Sequence, residues 1–174
     1  MEAWLEKHHD SENGIWLKMA KKSSGIPSVT YDEALDTALC YGWIDGQRKT
    51  YDDTFFIQKF TPRRPRSLWS SRNVKKVAQL TAAGRMRPSG LAQVEAAKQD
   101  GRWERAYGNY EEMPVPDDFL AALEENPAAK ATFATLKKLD RYLIAFQLTT
   151  AIKPETRERR FTKILTRLEK GEFR

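Results

Sequence analysis

The 174-residue chain carries a single cysteine, Cys40, and only two histidines, the adjacent His8 and His9. One thiol closes no intramolecular disulfide, so the fold rests on its own core, and a reducing compartment is the simpler setting. A lone cysteine and an adjacent histidine pair offer no tetrahedral ligand spacing, and neither metal nor cofactor is expected. The sequence also lacks G-x-x-x-x-G-K-[ST], G-x-G-x-x-G and G-x-S-x-G, which leaves P-loop hydrolysis, dinucleotide binding and serine hydrolysis without support. No apolar run approaches the ~18 residues of a membrane span. Met1 to His9 has no basic start followed by an apolar stretch, so no export signal is read there and a cytoplasmic location is expected.

What is present suits one domain, or one domain with a helical extension. Hydrophobic residues make up 40% and aromatics 11%, enough for a core without covalent staples. Thirty bases against 24 acids leave a net charge of +6, a mild bias toward nucleic acid, phosphates or anionic lipid.

Local signals divide the chain. Trp4 to His8 reads as the tail of an amphipathic helix, Asn13-Gly14 as a turn, and Ile15 to Ala20 as a short strand. Thr30-Tyr31-Asp32-Glu33 spells a capping box, and the helix it opens has Ala34, Leu35, Ala38 and Leu39 on one face with Gly42 as its stop. Residues 43–47 and 54–60 read as two strands of a hairpin around Tyr51-Asp52-Asp53. Ser70 or Ser71 caps a helix ending at Gly84, and Pro88 starts another ending at Gly101. Beyond a Pro- and Gly-containing stretch the sequence is helical: residues 117–125, a helix capped by Asn126 with Phe133 and Leu136, one capped by Asp140, and a last one from Pro154 to Gly171. The expected fold class is α+β, a small antiparallel β-sheet packed by helices and followed by a helical C-terminal module. The boundaries read as a first domain over 1–103, a linker over 104–116 and the module over 117–174.

The sharpest chemical constellation is Arg63, Arg64, Arg66, Ser67, Ser70, Ser71 and Asn73. Three arginines on a loop stiffened by Pro62 and Pro65 run into a helix N-terminus, whose free N–H groups and dipole favour an anion. Between Arg48 and Lys76 nine bases face only Asp52 and Asp53, a net +7. The structural alternative has one arginine paired with Asp45 or Asp36, Trp69 in the core and the rest solvated. Tyr41, Trp43, Asp45 and Trp69 form a candidate pocket in which Asp45 is a base or polar anchor; alternatively Asp45-Gly46 is a bulge or turn. Cys40, near a helix C-terminus, reads as a buried small hydrophobe. Arg157 and Arg160, three apart on the last helix, either extend the basic surface or lie on an ordinary solvated face. The acidic residues Glu111, Glu112, Asp117, Asp118, Glu124 and Glu125 are placed to pair with such bases.

Glu33-Ala34-Leu35, the block from Ala38 through Cys40-Tyr41-Gly42-Trp43-Ile44-Asp45-Gly46, and Phe60-Thr61-Pro62-Arg63-Arg64-Pro65-Arg66-Ser67-Leu68-Trp69-Ser70 resemble the signature blocks of the YdeI/OmpD-associated, or bacteriocin-protection, family. Gly84-Arg85-Met86 and Asp100-Gly101-Arg102-Trp103 also match. Pro116-Asp117-Asp118, Asn126-Pro127, Phe133 and Pro154-Glu155-Thr156-Arg157 with Arg160 resemble its helical C-terminal module, so the resemblance spans nearly the whole chain. It implies a bacterial protein linked to stress resistance, with no established reaction or cofactor. The function expected is therefore a non-enzymatic, stress-related binding protein whose small-molecule or protein partner is anionic. Weak nucleic-acid binding and an uncharacterised enzyme with an Asp/Arg pocket are the alternatives. The oligomeric state is not legible.

Overall fold

The computed structural model describes residues 1–109 and 112–173. The architecture is α+β, and the chain forms two compact units, residues 1–104 and 105–174.

The first unit opens with α1 (Glu2–His8), followed by β1 (Ile15–Ala20), α2 (Tyr31–Cys40), β2 (Trp43–Thr50), β3 (Phe55–Pro62), α3 (Ser71–Ala82) and α4 (Pro88–Gln99). The capping box forms as the sequence requires. Thr30 Oγ1 accepts from the Glu33 amide at 3.2 Å, and Glu33 Oε2 accepts from the Thr30 amide at 2.8 Å. The face of α2 made by Ala34, Leu35, Ala38 and Leu39 is buried. The helix stops at Gly42, whose φ of +78° is a left-handed conformation open to glycine, and whose missing side chain leaves room for the Ser89 carbonyl. Ser70, not Ser71, caps α3, accepting from the Asn73 amide at 3.2 Å.

The sheet has the order β1-β3-β2, with both pairings antiparallel. The two strands of the hairpin are longer than the sequence pattern suggested, reaching Thr50 and Pro62. Between Asp45 and Arg48 the register slips, so Gly46 and Gln47 together stand opposite Lys59. The buried amide of Gln58 fills the gap in the ladder by donating to the Gly46 and Gln47 carbonyls at 2.9 and 3.2 Å. On the inner side of the sheet, Met19, Trp43, Phe56 and Phe60 are buried.

The second unit contains α5 (Asp117–Glu124), α6 (Pro127–Thr135), α7 (Lys138–Thr149) and α8 (Pro154–Glu169). Its core joins Phe119, Leu123, Ala129, Ile144, Leu148, Ile164 and Leu168. Asn126 caps α6 as expected, accepting from the Ala129 amide at 3.1 Å. Two local expectations are corrected. Asp140 does not cap α7: Lys137 stands at the cap, and Asp140 lies buried in the first turn. Leu136 is not inside α6 but at its C-cap with extended backbone. Among the described residues, no helix is long and apolar enough to cross a membrane, and no group of His, Cys, Asp and Glu is placed to hold a metal ion.

Candidate functional site

The four residues of the candidate pocket are each engaged by different neighbours. Trp43 is buried edge-on against Trp4, with ring centroids 5.9 Å apart, and its Nε1 donates to the His9 carbonyl at 3.0 Å. Tyr41 is buried beside the His9 ring and the Arg87 guanidinium. Trp69 is buried edge-on against Trp103 at 4.9 Å. Asp45 accepts the Tyr31 hydroxyl at 2.8 Å. Burial first, and then this hydrogen bond to the Asp45 carboxylate, push the Tyr31 phenol well above its ordinary range. Asp45-Gly46 enters the bulge, the structural alternative foreseen for it. Burial likewise raises the Cys40 thiol, the opposite of what a nucleophile needs.

The arginine loop separates into a buried and an exposed part. Arg63 is only 5% exposed; its guanidinium lies 3.5 Å from the Trp69 ring centre, and Nη1 donates to the Leu68 carbonyl at 3.1 Å. This flat cation on an indole face clamps the loop to the core. Ser67 Oγ accepts from the Arg64 amide at 3.0 Å, and its carbonyl accepts from the buried Arg102, which also pairs with Asp100. Asn73 is buried in the first turn of α3, while Arg64 and Arg66 project into solvent. Of the carboxylates named as possible arginine partners, Asp36 accepts from Lys76 at 2.7 Å. Asp32 is bridged by Lys76 and Arg72, and the Lys76 hydrogen bond is the main reason its carboxyl sits below the usual range.

The outer face of the sheet gathers a constellation that the sequence reading had only in part. Strand alternation puts Trp16, Lys18 and Ala20 of β1 on this face with Phe55, Ile57, Lys59 and Thr61 of β3. Beyond the bulge, Arg48 pairs with inward-facing Gln58 and lies over the Phe56 ring at 3.8 Å, so Lys49 is the residue of β2 that reaches the outer face. Trp16 is 40% exposed, and Tyr51 at the hairpin is 59% exposed. Lys18 Nζ stands 4.0 Å from the Tyr51 ring centre and 4.2 Å from that of Phe55. Lys49 and Lys59 stand 4.9 and 5.9 Å from Trp16. No outward strand position is acidic. Asp52, in the turn, is held below its ordinary range despite some desolvation, because it accepts from the Phe55 and Thr54 amides. Lys49 and Lys59 were part of the basic segment recognised in the sequence. Trp16, Lys18 and Tyr51 were missed, although the alternation of apolar residues with Trp16 and Lys18 in β1 was a signal for them.

In the second unit, Arg157 pairs with Asp118 at 2.8 Å, and Arg160 Nη1 donates to the Gln147 carbonyl at 2.7 Å. Glu124 pairs with Lys130. Glu111, counted in the acidic run, lies outside the described residues.

Residues 1–93 match the family described as Domain of unknown function (DUF8412), and residues 112–171 match the family described as Bacteriocin-protection, YdeI or OmpD-Associated. The first match covers more than half of the chain, and the chain belongs to that family. The second covers most of the helical unit and agrees with the resemblance carried by its motifs. No curated protein and no solved structure is matched.

Proposed function

We propose that this member of the DUF8412 family is a non-enzymatic binding protein for anionic polymers, and that its first unit takes single-stranded nucleic acid. One observation carries the reading: on the open face of the sheet, Trp16, Phe55 and Tyr51 alternate with Lys18, Lys49 and Lys59, with no carboxylate at an outward strand position. The lysines supply a backbone-neutralising field that any polyanion feels. The aromatic rings add what a duplex cannot use, because its base faces are already stacked, whereas an unpaired strand offers a π-face at every base. Other antiparallel sheets bind single strands by laying about two or three bases on such rings. In the free protein the lysine ammonium groups occupy the ring faces, so they are positioned to move onto phosphates when bases displace them.

The test is fluorescence anisotropy of a labelled oligothymidylate and of a duplex of equal length at low salt. The single strand is expected to bind more tightly, and the combined Lys18→Ala, Lys49→Ala, Lys59→Ala variant is expected to lose that binding. Absence of binding to either probe, or equal binding to both, would overturn the reading. An Arg64→Ala, Arg66→Ala variant is the second arm: if it loses binding while the sheet variant keeps it, the contact belongs to the arginine loop instead.

A further inference from the structure

The second unit carries a concave feature that is independent of the sheet. α7 and α8 are joined by the short connection 150–153, and a groove of about 410 Å³ lies between them. Its two walls differ in chemistry. Along α7, Leu139, Leu143 and Gln147 recur every four residues and form one straight stripe. Along α8, Arg160, Lys163 and Arg167, three and then four residues apart, line the opposite wall, with Ile164 beneath them and Phe173 alongside Arg167. The stripe from Leu139 to Gln147 is about 12 Å long at the rise of an α-helix.

Single exposed leucines on a surface are ordinary. Here Leu139 is 58% and Leu143 41% exposed, both on one wall of a groove whose other wall bears three cations. The volume falls in the range of small-molecule sites, which are mostly apolar with a few placed polar groups.

We infer that this groove binds a soluble medium-chain carboxylate, an alkyl tail bearing a single anionic head. The polar groups also orient it. Arg167, the cation beside Phe173, is already engaged, donating Nε to the Glu172 carbonyl at 2.9 Å and lying over the Phe173 ring. At the other end Arg160 is fixed by its hydrogen bond to the Gln147 carbonyl, and Lys163 follows one turn on. The head therefore sits against Lys163 and Arg160, and the tail runs over Leu143 and Leu139 toward Phe173. Lys163 takes the head directly. Leu143, near the middle of the apolar wall, covers the tail.

Isothermal titration of the full chain with decanoate, and with decyltrimethylammonium as the cationic analogue, tests this. Decanoate is expected to bind at one site per chain and the cationic analogue not to bind. Lys163→Glu is expected to weaken decanoate by about tenfold or more through loss and reversal of a charge-assisted contact. Leu143→Asp is expected to abolish binding; a circular-dichroism melt shows whether this exposed position leaves folding intact, and Leu143→Ala, expected to weaken binding while folding as before, carries the same test. Equal binding of the two amphiphiles, or decanoate binding unchanged in Lys163→Glu, would overturn the inference. Binding to anionic lipid vesicles without binding to decanoate would also overturn it, making the occupant a membrane surface.

Discussion

Truncating Trp16 to alanine and Lys59 to alanine should damage binding of a single strand in two separable ways. The outer sheet face offers three lysines, Lys18, Lys49 and Lys59. Each phosphate neutralised on a single strand contributes about −0.7 to the slope of log affinity against log salt, so three contacts predict a slope of about −2.1. Between 50 and 200 mM salt the affinity should then fall by about twentyfold. Lys59→Ala removes one contact and should bring the slope to about −1.4, with a fall of about sevenfold over the same range. Lys59 is the cleaner charge probe, because its ammonium stands 5.9 Å from the Trp16 ring whereas Lys49 stands at 4.9 Å. Trp16→Ala should leave the slope alone and lower affinity at every salt concentration, by about 1–3 kcal/mol or roughly 5- to 150-fold, the range for one stacked base. Anisotropy titrations of the three proteins at four salt concentrations give both numbers. A slope that does not change in Lys59→Ala, or a Trp16→Ala affinity equal to the parent's, would refute the division of labour between charge and ring.

Three further expectations concern the first unit. A methyl at Gly90 would stand 2.2 Å from the Cys40 carbonyl oxygen, so Gly90→Ala must push α4 off the end of α2. The cost should be about 1–3 kcal/mol or more, seen as a lowered midpoint in a thermal melt; an unchanged midpoint would contradict the close approach. Tyr31→Phe should cost about 1–2 kcal/mol in urea denaturation by removing the hydrogen bond to Asp45. The folded-state phenol titrates above its unfolded value of about 10, so its contribution is complete below that pH and fades as the pH rises beyond it; parent and variant stabilities should converge only in strong alkali. At the acid end, Asp32, held by Lys76 and Arg72, and Glu33, held by the Thr30 amide and hydroxyl, have carboxyls below the usual range. Their contribution is complete above about pH 4 and is lost as the pH falls through the lower folded values, so urea midpoints should be level from pH 7 to 5 and decline below 4.

The parts of the fold set by near neighbours are legible in the sequence itself. The capping box of α2, its apolar face and its stop at Gly42 depend on residues a few positions apart, and all form as read. Asp140 misled because an aspartate before an apolar run resembles a cap; tertiary packing draws it inside and starts the helix three residues earlier. Arg63 misled for a related reason. A basic run reads as a solvated surface, and only the placement of Trp69 turns one of its members into a buried ring partner. The basic sheet face was hidden by a parity change. Strict alternation from Trp43 would send Arg48 outward, and the two residues opposite Lys59 give that place to Lys49. Such a slip depends on a partner strand and leaves no unambiguous mark in β2 itself.

The strand order has a consequence for how the chain reaches this state. β3 is the last strand made and the central one, while β1 is the first and touches only β3. Residues paired across β1 and β3 lie between 35 and 45 positions apart, against a tight hairpin for β2 and β3. Closing that long loop is the slower event, so the hairpin should form first and wait with one side of β3 unpaired. During that interval the exposed rim carries Phe56, Ile57 and Phe60, and β1 of another nascent copy fits it as well as the chain's own. Synthesis at high local concentration therefore puts this protein at risk of exchanging first strands between copies, and the time β1 takes to return sets the size of that risk.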